Sequence, residues 1–386
     1  MIPSRPGGRS ERIKMPSIEY QILIAACDLN PDQSQLETLR RLTARNIDAE
    51  LLLALAVREG LAGLLYRNFQ RAGVLEKLGR EHHRRLESLY HQTAAFNLKL
   101  INDLKKILQK ADSDNIPVVL LQGIALLEQV YADVGLRPLT DIDLWILPRF
   151  RESFADCLLQ AGCRQDPVYP NTFRMHSTII DIHTHILWAE RIRTRRLLLA
   201  KGQESFFDNA RSMNVEGESA LCLDPCDQAL YLTLHALKHN LGRLVWLVDI
   251  KSLISDWGWA EWKGFTARAR FLGLEKMAAM MVIMMKDLLN YQPPSEVKPL
   301  IRVQNTGFFE KALLRRRREN KALPSWAQLY LLSAGKALSK RLVFVMENAF
   351  PRPQVLRQVF AGSPNLKTWQ LYWKRGLQLL GFRHTF

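Results

Sequence analysis

Two short segments combine carboxylates with the period-two alternation of a half-buried strand. In Asp141-Ile142-Asp143-Leu144-Trp145-Ile146-Leu147, Asp141 and Asp143 share one face while Ile142 and Leu144 take the other. In Ile180-Asp181-Ile182-His183-Thr184-His185-Ile186, Asp181, His183 and His185 lie opposite Ile180, Ile182 and Ile186. An ionised carboxylate on such a strand costs more than the strand gains unless something compensates it. A divalent cation compensates it. Side chains at i and i+2 of a strand stand roughly 6–7 Å apart, so Asp141 and Asp143 can grip one Mg²⁺ or straddle two, with Asp181 completing a two-metal site. One ion then activates an attacking hydroxyl and the other stabilises a leaving pyrophosphate. Upstream, the apolar run Val118-Val119-Leu120-Leu121 ends at Gly123 and leads into a helix-like stretch at 125–130. A helix N-terminus there offers unpaired N–H groups to a phosphate. Together these features describe a phosphoryl-group transferase site.

The elements that must hold these residues divide the chain into modules. Residues 1–16 read as a loose tail, and residues 17–114 as a helical module in which Leu51, Leu52, Leu55 and Ala56, then Leu98, Ile101, Leu104 and Leu108, recur at three- and four-residue spacing. Residues 115–220 carry the strand, turn and helix signals of an α/β core. Residues 221–386 return to the helical period and turn basic from about residue 302: sixteen Lys and Arg stand against three Glu from there to the end, most of the formal net charge of +16. Such a field attracts polyanions, yet a solvated basic face is the plainer reading, and Arg315-Arg316-Arg317-Arg318 suits the exposed end of a helix. With 47% hydrophobic and 24% charged residues, the 386-residue chain is globular and not disordered. Its longest apolar stretches, such as 277–285, fall short of the roughly 20 residues that span a bilayer, and no apolar segment follows the basic start. A cytoplasmic protein without a membrane span is expected. Five cysteines without a CxxC pair argue for reduced, mostly buried thiols.

The combination of motifs resembles the uncharacterised bacterial nucleotidyltransferase family of the polymerase-β-like superfamily. The matching residues are Leu121-Gln122-Gly123-Ile124-Ala125-Leu126, Arg137-Pro138-Leu139-Thr140-Asp141-Ile142-Asp143-Leu144 and Asp181-Ile182-His183, followed by a helical segment with His235, Lys238, His239, Arg243-Leu244, Trp246-Leu247 and Asp249-Ile250. The resemblance implies an α+β fold, a small mixed sheet flanked by N- and C-terminal helical modules. It also implies Mg²⁺ or Mn²⁺ on Asp141, Asp143 and Asp181, and transfer of a nucleoside monophosphate from an NTP, ATP foremost, to an unidentified hydroxyl acceptor. Asp181 would hold the second ion and act as base or base-orienter. Gln122, Gly123, Arg137 and Lys238 would bind the nucleotide. Gln122 stands where that family usually has Lys, and Ile124 where the wider superfamily has Gly or Ser, so contact with phosphate there rests on backbone. A second reading, favoured by Gln122, is a catalytically silent relative that binds nucleotide or, weakly and through its basic C-terminal module, a polyanion.

His235 and His239 are four apart on a helix, but no Glu follows His235, so the zinc-protease pattern is absent. They read as packing or hydrogen-bonding groups that support the core. His183 is placed to orient Asp181 or an acceptor hydroxyl, and equally reads as a satisfied structural histidine. Asp249 reads as a partner of His or Lys on the preceding helix, or as a helix-end residue. Met277, Met280, Met281, Met284 and Met285 repeat at helical spacing and read as core filler.

Overall fold

A computed structural model describes residues 16–303, 307–363 and 365–379. Apart from Pro16, the expected tail at 1–16 lies outside them. Helices α1–α5 cover Ile18–Ala25, Gln33–Thr43, Ala49–Glu59, Ala62–Ala72 and Gly79–Ser113. Local chemistry marks their ends. Asp32 and Gln35 form a reciprocal capping box at the start of α2, and Gly60, with φ +74°, ends α3 in the left-handed region. At 35 residues, α5 is about 52 Å long. It buries Leu100, Leu104, Ile107 and Leu108 and runs along the sheet.

The core follows as β1 (Val119–Leu121), α6 (Gln122–Gln129), β2 (Ile142–Trp145), α7 (Arg151–Gln160), β3 (Arg164–Gln165), β4 (Thr172–Met175), β5 (Thr178–His183), α8 (Glu204–Asp208), β6 (Arg211–Val215) and β7 (Glu218–Cys222). The seven strands form one mixed sheet in the order β3-β4-β5-β2-β1-β7-β6. β2 runs parallel to β5 and β1 to β7, whereas β1 and β2 are antiparallel. The sheet extends past residue 220 to Cys222. The second motif strand is shorter than its alternation suggests: it ends at His183, and Thr184 and His185 turn away, their backbone N–H groups donating to the Glu190 carboxylate. His185 thus leaves the face it was expected to share with Asp181, and its Nδ1 accepts from the Leu187 N–H instead.

Helices α9–α18 follow at Pro225–Lys238, Val245–Leu253, Trp259–Leu272, Glu275–Leu289, Lys298–Val303, Phe308–Arg318, Ala327–Leu332, Leu338–Ala349, Pro353–Val359 and Thr368–Leu379. The five methionines of α12 are buried in the core. All five cysteines are free, and four are buried. The arginine run at the end of α14 is not a uniformly solvated face. Arg317 is buried, its guanidinium donating to Glu59 Oε2 at 2.5 Å and to the Leu241 carbonyl at 2.9 Å, and Arg318 pairs with Asp287. Arg317 thus ties α14 to α3, and Arg318 ties it to α12. Among the described residues no helix is long and apolar enough to cross a membrane.

Candidate active site

The parallel pairing of β2 with β5 places Asp143 directly beside Asp181. Asp141, just before β2, faces the same way, and one ligand oxygen from each of the three carboxylates lies within 4.8 Å of the others. Each is held by a neighbour. Thr140 Oγ1 donates to Asp141 at 2.8 Å, Thr172 Oγ1 on β4 donates to Asp181 at 2.5 Å, and His183 Nε2 lies 2.7 Å from Asp143 Oδ1. His183 therefore engages Asp143 and not Asp181. Burial, then the neighbouring Asp143, push the Asp141 carboxyl up to about 6. Burial also raises Asp181, against the Thr172 hydrogen bond. Crowded acids that resist ionisation together are what a cation relieves. The hard oxygen donors fit Mg²⁺ or Mn²⁺, which Asp141, Asp143 and Asp181 would hold.

The carboxylates open into a cavity of about 650 Å³ whose other walls carry cations. Lys238, in the last turn of α9, lies with Nζ 3.8 Å from the Trp188 ring centroid, and Arg195 flanks the same ring at 5.9 Å. Arg191 sits over Tyr169. Burial and then Arg195 lower the Lys238 ammonium to about 7, against the opposing pull of Asp143. Burial and then Arg191 lower Arg195 to about 10, and its buried Nε has no hydrogen-bond partner among the described residues. These cations rest on aromatic faces and on one another, an arrangement that an anion would stabilise.

The C-terminal helices close the remaining side. Asn348 of α16, Gln354 and Gln358 of α17, Arg352 and Arg375 all line the cavity. Their seat is fixed by backbone contacts: Tyr169 Oη donates to the Gln358 carbonyl, Arg352 to that of Glu190, and Arg375 to that of Asn348, while Glu347 accepts from the Arg193 and Thr194 N–H groups.

Of the residues the sequence singles out, Gln122, Arg137, Asp141, Asp143, Asp181, His183, His235, Lys238 and His239 reach this cavity and Gly123 does not. The left-handed residue at the strand–helix junction is Gln122, with φ +55°, whose Nε2 lies 3.2 Å from Tyr231 Oη. Gly123 serves close packing: a Cβ there would stand 2.0 Å from Arg137 Nη1. Arg137 is buried and paired, Nη2 donating to Asp249 Oδ2 at 2.9 Å and Nε to Oδ1 at 3.3 Å. Asp249, fully buried, also accepts from Tyr131 Oη at 2.7 Å, so its partners are Arg137 and Tyr131 and not a His or Lys of the preceding helix. Asn97 of α5 fixes this loop by donating to the carbonyls of Val134 and Arg137. His235 and His239 lie with tilted rings 4.6 Å apart and both pack on Trp246, and burial drives His235 well below its ordinary pKa. Among the described residues, the aspartate triad alone groups three or more His, Cys, Asp or Glu side chains that could share an ion.

Sequence reasoning missed Arg191, Arg195, Arg352, Arg375, Trp188 and Thr172. Only the run Arg191-Ile192-Arg193-Thr194-Arg195-Arg196 left a local trace, as a cluster of cations just after the acidic strand.

Comparison with known proteins sets this site in context. No curated protein matches the chain. The solution structure of the antibiotic-resistance factor ANT(2'')-Ia is similar over 45% of this chain and 92% of its own, at 16% identity and a TM-score of 0.31. That likeness is too loose to bear on the argument. The profile of the uncharacterised nucleotidyltransferases matches residues 45–290, well over half the chain and including all three aspartates. The chain belongs to the uncharacterised nucleotidyltransferase family.

Proposed function

We propose that the protein transfers a nucleoside monophosphate from an NTP, ATP foremost, to a hydroxyl acceptor in the cytoplasm, with Asp141, Asp143 and Asp181 as the Mg²⁺- or Mn²⁺-dependent centre. The single observation that carries this reading is the aspartate triad facing, across one cavity, Lys238, Arg191 and Arg195, which form no ion pair with a carboxylate among the described residues. When bound, the ion supplies Lewis-acid stabilisation of phosphoryl oxygens and lowers the acceptor hydroxyl's pKa. Lys238, Arg191 and Arg195 bind the triphosphate and neutralise charge that builds on the leaving pyrophosphate. Asp181, steadied by Thr172, takes the acceptor's proton or orients the group that does. The acceptor oxygen bonds to the α-phosphorus as the bond to the β-phosphate's bridging oxygen breaks, releasing pyrophosphate. His183 holds Asp143 in its ligating orientation, as an outer partner of a ligand does. Arg137, neutralised by Asp249, positions the loop that leads into β2 and contributes little free charge. Polyanion binding through the basic C-terminal module is weak in this reading, because Arg317 and Arg318 are committed to internal carboxylates.

The test is incubation of the protein with each α-labelled NTP and a cell extract. Label should move to an extract component with wild type and not with Asp143→Asn. Label that stays on free nucleotide for every NTP, with nucleotide still bound, would leave a silent binding protein.

A further inference from the structure

Two C-terminal helices present apolar side chains to solvent. On α16, Leu338, Leu342, Val345 and Met346 recur at i, i+4, i+7 and i+8 and are all exposed, while Phe344 faces the core and Asn348 is buried. On α18, Trp369 and Trp373, 66% and 69% exposed, share a face opposite the buried Leu371. The two helices are joined where Arg375 donates to the Asn348 carbonyl and where Phe350, also exposed, approaches Tyr372 with ring centroids 6.2 Å apart. Among the described residues, nothing covers the apolar face that these amphipathic helices turn outward.

The charge around it narrows the choice of partner. From residue 320 to residue 379 the sequence holds one acidic residue, Glu347, and its carboxylate is taken up by the Arg193 and Thr194 N–H groups. Exposed cations accompany the apolar residues: Lys340 on α16, Arg357 on α17 and Lys367 at the start of α18. A second copy of the chain would bring like charges together on contact. Nucleic acid would meet the cations and the two indoles, but a Leu, Val and Met stripe gives bases nothing to stack on. An anionic lipid surface satisfies both features, since aliphatic chains and indoles enter the headgroup boundary while Lys and Arg meet lipid phosphates.

We propose that α16 and α18 dock the protein on the surface of an anionic phospholipid bilayer. The same two helices lend Asn348 and Arg375 to the cavity, so docking brings the cavity close to molecules held at the membrane. The inference rests on surface chemistry and stands whether or not the cavity transfers nucleotides.

The experiment is vesicle flotation of the full chain with phosphatidylcholine alone and with phosphatidylcholine mixed with phosphatidylglycerol. Wild type should float with the anionic vesicles only, and less as salt rises. The pairs Trp369→Ser with Trp373→Ser and Leu342→Ser with Met346→Ser should each lower partitioning about tenfold or more. These side chains are exposed, so the variants should keep the wild-type melting temperature, and brominated phosphatidylglycerol should quench wild-type tryptophan emission. No flotation with anionic vesicles at low salt, or undiminished flotation of both pairs, would overturn the proposal. So would a concentration-dependent dimer abolished by the same pairs, which would assign the face to a second copy, or tight single-stranded nucleic-acid binding lost in the tryptophan pair.

Discussion

Replacing Asp249 by Asn should destabilise the protein by about 3–5 kcal/mol, the range for breaking a buried ion pair by removing one partner. The carboxylate is fully buried and accepts three hydrogen bonds, two from Arg137 and one from Tyr131. Asn keeps the shape but takes away the charge, leaving the buried Arg137 guanidinium without its counter-ion. Unfolding entropy of about 2.1 cal/mol/K per residue over 386 residues converts the loss to about 4–6 °C in Tm if the chain melts as one unit, and to more if the melting unit is smaller. Differential scanning calorimetry with urea titration measures it. Arg137→Met and Asp249→Leu, combined with Tyr131→Phe so that no buried hydroxyl is left without its acceptor, should recover much of the loss, because packed apolar groups replace a paired charge at little cost. A loss under about 1 kcal/mol in Asp249→Asn, well below that range, would refute the reasoning and show that water reaches the pair.

Gly123→Ala should cost about 1–3 kcal/mol by urea titration, since its methyl would displace the Arg137 guanidinium. Lys238→Ala should raise KM for the NTP and also lower kcat, since the ammonium both binds the triphosphate and meets charge that builds on the leaving pyrophosphate. In wild type, a lysine that ionises near 7 in the free protein is neutral above that pH, and a bound triphosphate favours its charged form. NTP affinity should therefore rise as pH falls from about 8 to about 7, above the range in which Asp141 takes up its proton, and competition binding should show this dependence flattened in Lys238→Ala. His183→Ala should weaken metal-dependent turnover about 10–100-fold, the usual cost of removing a ligand's outer partner, with little change in melting temperature.

The central strands and the triad were legible because their signal is local. A buried run ending at a turn, and two stretches alternating Asp with Ile, specify strand and face within a few residues. The outer strands carry no such signal: β3 is two exposed residues, β6 is mostly exposed, and β4 holds only Phe173 and Met175 inward. These strands owe their place to pairing with a neighbour and not to their own pattern. The cationic walls were hidden for a related reason. Lys238 was named, but Arg195, Arg352 and Arg375 come from separate segments, and only tertiary packing sets them beside it around the aspartates. Arg137 and Asp249 were each noticed, but their pairing across 112 residues has no spacing to betray it. Gly123 looked like a phosphate turn because a glycine between strand and helix commonly is one, whereas here the positive φ falls on Gln122 and the glycine makes room for a guanidinium.

Metal binding by the aspartates is tested most directly by titrating Mn²⁺ into the protein under electron paramagnetic resonance, with and without α,β-methylene-ATP, in wild type and in Asp141→Asn and Asp143→Asn. Wild type should bind the ion, and more tightly once the analogue is present, while each variant should lose about tenfold or more in affinity and the added tightening with it. Equal Mn²⁺ affinity in wild type and both variants would contradict a metal centre at Asp141, Asp143 and Asp181.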